Sequence, residues 1–168
     1  VSGYWSMDGN LRLDNPAGEI RLKKFGPNYA ASGELISSTF DAGMVSNFYK
    51  ISWEPLSQPP QVGVSSVKFQ IAVSDTNNGA TVWNFKGPDG TSSTYYDEAD
   101  QNINAINNGH RYVRYKIILS TIDISRTPSV ENVAISFNSG CNAPGQVIFT
   151  GLSNGHFSLD AFDANLNR

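Results

Sequence analysis

Apolar residues that recur at every second position are the feature that most limits how this chain can fold. The clearest run places four apolar side chains in alternation: Val67, Phe69, Ile71 and Val73. Because successive side chains of a β-strand point to opposite faces, this spacing predicts a strand with one buried and one solvated face. The same alternation recurs in two further runs: Val113, Tyr115, Ile117 and Leu119, then Val133, Ile135 and Phe137. Helical spacing is limited to one candidate turn within residues 97–106.

Turn-forming sequences separate these runs from weaker strand candidates. The weaker candidates cover six ranges: 20–23, 35–40, 48–53, 82–85, 146–150 and 157–162. Between them stand motifs such as Gly-Pro-Asp-Gly at 87–90 and Asn-Asn-Gly at 107–109, which favour tight turns. Many short strands with almost no helix predict an all-β fold, an antiparallel β-sandwich. Among sandwiches we favour the jelly-roll arrangement, with a C-terminal β-hairpin appended.

The pattern divides the chain into three parts. Residues 1–33 carry weak strand signals and are expected to form a flap or an edge hairpin. Residues 34–138 carry the strong alternation and are the expected sandwich core. Residues 139–168 are interpreted as a linker and a β-hairpin, either packed on the sandwich or cut from a following domain.

Charge and hydropathy exclude several classes of protein. The formal net charge is −3 and the isoelectric point is near 5.2, which argues against the basic surface that nucleic-acid binding needs. No apolar run reaches the roughly 20 residues that span a bilayer, so we expect no membrane contact within this chain. Cys141 is the single cysteine; it could form an intermolecular disulfide or be buried as a small apolar residue.

The order of motifs in the central block resembles a known family. The block runs through GELISSTFDAG at 33–43, ISW at 51–53, SVKFQIA at 66–72, GPDGT at 87–91, RYVRYK at 111–116 and LST at 119–121. This order is similar to galactose-binding-like (discoidin-type) β-sandwich modules of bacterial cell-surface and type IV pilin-like proteins, over about two-thirds of the chain. The resemblance implies an extracellular, non-catalytic module on the bacterial cell surface.

The tail has a second resemblance. The segment PGQVIFTGLSNGHFSL at 144–159 looks like the terminal hairpin of prealbumin-like (carboxypeptidase-regulatory) repeats, which have several more strands. A pilin also needs a long apolar N-terminal helix to enter a filament. We therefore expect the full gene product to encode an export signal or such a helix before Val1.

Exposed aromatic residues and arginines are the candidate ligand contacts, because a sugar's C–H face stacks on aromatic rings. The aromatic candidates outside the strongest strands are Tyr4, Trp5, Phe25, Tyr29, Tyr95, Tyr96 and Tyr112. Of these we predict Tyr96 and Tyr112 as ligand contacts, with Arg111 and Arg114 as a clamp for an anionic ligand. The alternatives are aromatic packing under a loop, which we favour at any one position, and arginines paired with carboxylates of neighbouring strands, which is our default. Trp53 and Trp83 are assigned to the core.

Oxygen-bearing side chains in two loops are candidate ligands for calcium, the one cofactor considered. They are Asp75, Asn77, Asp97, Glu98 and Asp100. Calcium binds six to eight oxygens from carboxylates, amides and carbonyls. The spacing does not match an EF-hand, and solvated turn residues are the interpretation we favour.

Three functions follow from this sequence. The leading hypothesis is a non-catalytic assembly or adhesion module, such as the globular head of a type IV pilin-like subunit, whose partners are other surface or pilus subunits. The alternative is an accessory carbohydrate-binding domain of a larger secreted protein, whose partners are glycans. An enzyme is the third, and we predict that the chain is not one, because His110 and His156 each lie beside a turn glycine and no nucleophile-elbow motif accompanies them.

Overall fold

A computed structural model describes residues 4–139 of the chain. Antiparallel β-strands dominate, with two one-turn 3-10 helices at Pro60–Val62 and Ala105–Asn107. The strands are β1 Tyr4–Met7, β2 Leu11–Asp14, β3 Ala17–Leu22, β4 Lys24–Phe25, β5 Asn28–Tyr29, β6 Ser32–Ser37, β7 Phe40–Glu54, β8 Val67–Ser74, β9 Gln101–Asn102, β10 His110–Ser120, β11 Ser129–Val130 and β12 Asn132–Ser139. The predicted all-β fold is confirmed.

The two strongest alternating runs form the neighbouring strands β8 and β10. They pair over eight positions, from Tyr112 opposite Ser74 to Leu119 opposite Val67. The predicted apolar face is turned inward, since Phe69 and Ile117 are both fully buried. On its other edge β10 pairs first with β7, through His110 to Val113, and then with β6, through Lys116 to Ser120.

The long strand β7 carries the chain from one layer of the sandwich to the other. Its first residues, Phe40 and Asp41, pair with β10, whereas Ser46 through Glu54 pair with β12. Gly43 between these parts has φ +80°, a left-handed conformation that glycine adopts without strain. Trp53 of the second layer then packs on Phe69 of the first, with ring centres 4.7 Å apart.

The core between the layers holds one continuous apolar cluster. Its buried members include Leu35, Phe48, Ile51, Trp53, Phe69, Ile71, Val113, Ile117 and Leu119. The predicted antiparallel sandwich is therefore confirmed, whereas the jelly-roll arrangement stays a prediction.

The N-terminal part adds an edge strand and a small sheet. β1 pairs with β6, which extends the first layer, and β2, β3 and β11 form a separate three-stranded sheet. Leu11 and Leu22 of this part lie in the core cluster. The predicted linker from residue 140, Cys141 and the hairpin at 146–162 lie outside the described residues.

One predicted strand is wrong. Residues 82–85 form no strand. The next residue, Lys86, bridges to β8 through two hydrogen bonds of 2.9 Å with Ile71. The alternation in this segment is nevertheless real, because Trp83 and Phe85 both turn toward the outer face of the first layer. Alternation fixes where side chains point, and it does not by itself supply a partner strand.

Within residues 4–139, helices stay far below the length and apolarity that a bilayer-crossing segment would need.

Candidate functional site

The outer face of β10 carries the polar and charged half of the alternating run. Opposite the buried Val113 and Ile117, the side chains of Arg114 and Lys116 leave the sheet on its other side. Arg114 is flanked by the neighbouring strand β8, where its register partner is Ala72. A position in the middle of a sheet gives its side chain a rigid base.

Trp5 reaches this face because of an irregularity in β1. The register between β1 and β6 shifts between Tyr4 and Ser6, so Trp5 is the extra residue of the strand. Bulges of this kind redirect a side chain out of the regular pattern. Trp5 remains 66% exposed, although its ring lies against Arg114.

Trp83 comes to the same face from the loop after β8. The bridge from Lys86 to Ile71 anchors the end of this loop at the edge of the sheet. Trp83 is half-buried, and its ring centre lies 4.4 Å from the Cζ atom of Arg114. Its assignment to the core is therefore wrong, whereas Trp53 is buried as predicted.

Arg114 contacts both tryptophan rings and is the centre of the site. Its Cζ atom is 4.2 Å from the ring centre of Trp5, and the residue is only 4% exposed. Its Nε–H donates a 2.7 Å hydrogen bond to Thr39 Oγ1, which in turn donates to Asn77 Oδ1 at 3.0 Å. Burial lowers the pKa of the Arg114 guanidinium from its usual value, although arginine stays protonated at neutral pH. We call Trp5, Arg114 and Trp83 the indole–arginine site.

The Nη groups of Arg114 have no hydrogen-bond partner among the described residues. Within residues 4–139 they also make no ion pair. No fully buried side-chain nitrogen in that part of the chain lacks a hydrogen-bond partner, so any solvent contact of the Nη groups falls within the 4% of Arg114 that is exposed. Ring contacts use the faces of a guanidinium, and its hydrogen-bond donors lie in its plane.

Further cation–aromatic contacts extend along the same face. Lys116 lies 5.0 Å from the ring centre of Phe85, and Lys68 lies 5.5 Å from that of Tyr95. These lysines and Arg114 give the outer face of the first layer a local positive charge, although the whole chain is acidic.

Arg111 differs from Arg114 in its partner. Its Nε and Nη2 donate to the two carboxylate oxygens of Asp41 at 2.7 and 2.8 Å, and its Cζ lies 5.1 Å from the ring centre of the half-buried Tyr112. The hydrogen bonds from Arg111 lower the pKa of Asp41 to about 2. The expected pairing with a carboxylate is confirmed for Arg111 and is wrong for Arg114, which has none within residues 4–139.

Tyr96 is not at the surface, so its prediction as an exposed ligand contact is wrong. Its side chain is fully buried, and its backbone bridges to Phe69 in β8. The phenol oxygen accepts a hydrogen bond of 3.0 Å from the backbone N–H of Asn104. Burial raises the pKa of the Tyr96 hydroxyl.

The residues predicted as calcium ligands have separate partners. Asp75 Oδ1 lies 3.1 Å from His110 Nδ1, while Asp97 accepts a hydrogen bond from Ser65 and Asp100 pairs with Lys50. In residues 4–139, no group of three or more histidine, cysteine, aspartate or glutamate side chains is gathered for a metal ion.

The two remaining residues that were predicted as calcium ligands are Asn77 and Glu98. Asn77 accepts the hydrogen bond from Thr39 beside the indole–arginine site, and Glu98 is exposed near the mouth of a cavity that Asp97 and Asp100 also line.

Sequence reasoning missed Trp83 as a site residue. The signal was present, because Trp83 and Phe85 alternate in the same period as Arg114 and Lys116, with each aromatic over one cation.

Comparison of the chain with protein-family models, with curated proteins and with solved structures gave no match.

Proposed function

We propose that this chain is a non-catalytic, extracellular adhesion module of a bacterial surface protein, and that it binds carbohydrate through the indole–arginine site. The observation that carries the proposal is the 66% exposed Trp5 ring, fixed by a strand bulge beside Arg114. The resemblance of the central block to galactose-binding-like modules favours the same ligand class and the same location.

The chemistry of the site suits a sugar. An indole ring offers a flat apolar surface for the C–H face of a pyranose, and planar donors at its side bind hydroxyl or carboxylate oxygens. Trp5 supplies the surface and Arg114 the donors. Because Arg114 is held by Thr39 and by two rings, little side-chain entropy is lost on binding.

A glycan array followed by titration calorimetry tests the proposal. We expect the wild-type chain to bind a subset of glycans with micromolar to millimolar affinity, and Trp5→Ala to weaken that binding about tenfold or more, as loss of 1–3 kcal/mol of stacking implies. Tyr49→Ala is the matched control, since Tyr49 is also exposed but lies in the second layer. Absence of glycan binding, or an equal loss in both variants, would contradict the proposal.

A second candidate function, assembly with pilus or other surface subunits, is favoured by a different observation. β12 is the last strand in the sheet order, and within residues 4–139 it pairs only with β7. Its Val133 and Ile135 are only half-buried, and with Phe137 they line a groove of about 320 Å³ together with Phe40. An unpaired strand edge beside an apolar groove accepts a strand of a partner subunit.

Sedimentation of the full chain tests this second candidate. We expect association that depends on protein concentration, and we expect Ala134→Pro in β12 to abolish it because proline removes a backbone donor. Ala134→Ser, which keeps the backbone N–H at the same position, is the control. A chain that stays monomeric at all concentrations, without its natural partners and with them, contradicts assembly through β12.

A further inference from the structure

Of the four other arginines among residues 4–139, Arg12, Arg21 and Arg111 pair with carboxylates, and the exposed Arg126 does not. Arg12 pairs with Asp14 at 2.8 Å, and Arg111 pairs with Asp41 at 2.7 Å. Both of these arginines are far more exposed than Arg114, which is 4% exposed. The most buried of the three is thus the one without a carboxylate partner among residues 4–139.

Asp75 and Glu34, on strands and loops next to β10, each pair with another side chain. Asp75 faces His110, and Glu34 lies 3.4 Å from Lys116. The only polar partner of Arg114 in the described chain is the neutral hydroxyl of Thr39. A buried cation is stabilised far better by an anion than by a hydroxyl, because desolvation strengthens the attraction between opposite charges.

We infer that the indole–arginine site selects acidic sugars, with the carboxylate of a uronic or related sugar accepting two hydrogen bonds from the Nη groups of Arg114. The inference rests on the proposed carbohydrate-binding function and adds the class of sugar. The carboxyl group of such a sugar is attached directly to the pyranose ring. A carboxylate held at Arg114 therefore keeps the pyranose ring near Trp5, whose ring centre is 4.2 Å from the Arg114 Cζ atom.

The planar fork of arginine matches a carboxylate in both shape and charge. Two parallel N–H···O⁻ bonds form when the two Nη groups meet the two oxygens, and such bonds are about twice as strong as neutral ones. Trp5 and Trp83 contact the guanidinium through their rings, and a ring does not use the hydrogen-bonding capacity of the Nη donors. A neutral sugar keeps the stacking contact but loses the paired charges.

Two forms of one polysaccharide test the inference. Calorimetric titration of the full chain with polygalacturonate and with its methyl ester compares ligands that differ only in the carboxylate. We expect polygalacturonate to bind about tenfold more tightly, or better, as charge-assisted bonds imply. Dextran sulfate is the third ligand, and we expect it to bind more weakly than polygalacturonate. Equal affinity for acid and ester, or preference for the sulfate, overturns the inference.

Two variants assign the preference to Arg114. Arg114→Lys keeps the positive charge but loses the planar pair of Nη donors, so we expect the ratio of acid affinity to ester affinity to fall several-fold. Arg126→Lys is the matched control, since the exposed Arg126 side chain makes no ion pair in the described chain, and it should keep the full preference. A full preference in Arg114→Lys contradicts the assignment.

The design separates the failure of this inference from failure of the proposed function. If acid and ester bind equally and Trp5→Ala weakens both, the carbohydrate function stands and acid selection fails. If neither polysaccharide binds and the glycan array is also empty, both fail. Should Arg114→Lys not fold, the wild-type comparison of acid with ester still decides, and we expect the acid to change the tryptophan fluorescence, since Trp5 is 66% exposed.

Discussion

Arg111 of β10 and Asp41 of β7 form a bidentate ion pair, with Nε–Oδ1 and Nη2–Oδ2 distances of 2.7 and 2.8 Å. Three residues further along β10, Arg114 has two tryptophan rings where Arg111 has a carboxylate. β10 thus holds one arginine that is paired with a carboxylate and one that has no carboxylate partner among residues 4–139. The two arginines of β10 therefore differ in their partners, a carboxylate for Arg111 and two indole rings for Arg114.

The ion pair with Arg111 lowers the pKa of the Asp41 carboxyl group. Its pKa lies at about 2, below the ordinary 3.8, because Arg111 donates to the carboxylate. We expect Arg111→Gln to raise the pKa of Asp41 toward 3.8, measured by carbon-detected NMR titration. In the wild-type chain the stabilisation by this lowered pKa is fully present above pH 3.8 and is lost as the pH falls through about 2. A pKa that does not move in Arg111→Gln would contradict the role of the pair.

The layered fold could be predicted because its central strands obey a simple period. In β8 and β10 each inward position is apolar, and burial follows directly, as at Phe69 and Ile117. The same period predicts a solvated outer face, yet Gln70 is buried. The reason is tertiary: Gln70 donates to the backbone carbonyls of Ser92 and Thr94, so a loop covers that part of β8.

The indole–arginine site was only partly predictable, because it too depends on contacts between segments that are distant in the sequence. Tyr96 follows a turn-rich segment that predicts exposure, but its bridge to Phe69 places it inside. Trp5 was among the exposed candidates, whereas its partner Trp83 comes from a loop far along the chain. Contacts between distant segments depend on loop paths, which alternation within one segment does not determine.

Removing the guanidinium of Arg114 should destabilise the fold through its ring contacts. We expect Arg114→Ala to lower the free energy of unfolding by about 1–3 kcal/mol, since two cation–π contacts of about 0.5–2 kcal/mol each are lost. Near-ultraviolet circular dichroism should change with it, because Trp5 and Trp83 lose their common neighbour. Arg126→Ala, at an exposed arginine, should stay within about 0.5 kcal/mol of wild type. Equal effects of the two substitutions in urea unfolding would exclude a special role for these contacts.

The contact between the two layers depends on Phe69. Its ring is fully buried and lies 4.7 Å from that of Trp53 in the opposite layer. We expect Phe69→Ala to cost about 3–5 kcal/mol through lost burial and a residual cavity. Phe25→Ala removes the same side chain at a site that is 52% exposed, so it should cost far less. If thermal unfolding ranks the two variants in the opposite order, the assignment of the core is wrong.

Gly87 controls how the loop that carries Trp83 closes on the sheet. A Cβ atom at Gly87 would overlap the backbone carbonyl of Thr94, closer than any real Cβ contact, while one at Gly79 would meet nothing within 4 Å. We expect Gly87→Ala to cost about 1–3 kcal/mol, because backbone must shift to relieve the overlap. Since Gly87 directly follows the bridge at Lys86, the shift should also move Trp83 and weaken glycan binding. Gly79→Ala is the matched control and should change neither the unfolding free energy nor the affinity by much. Unaltered glycan affinity in a folded Gly87→Ala chain would show that the position of Trp83 does not govern binding.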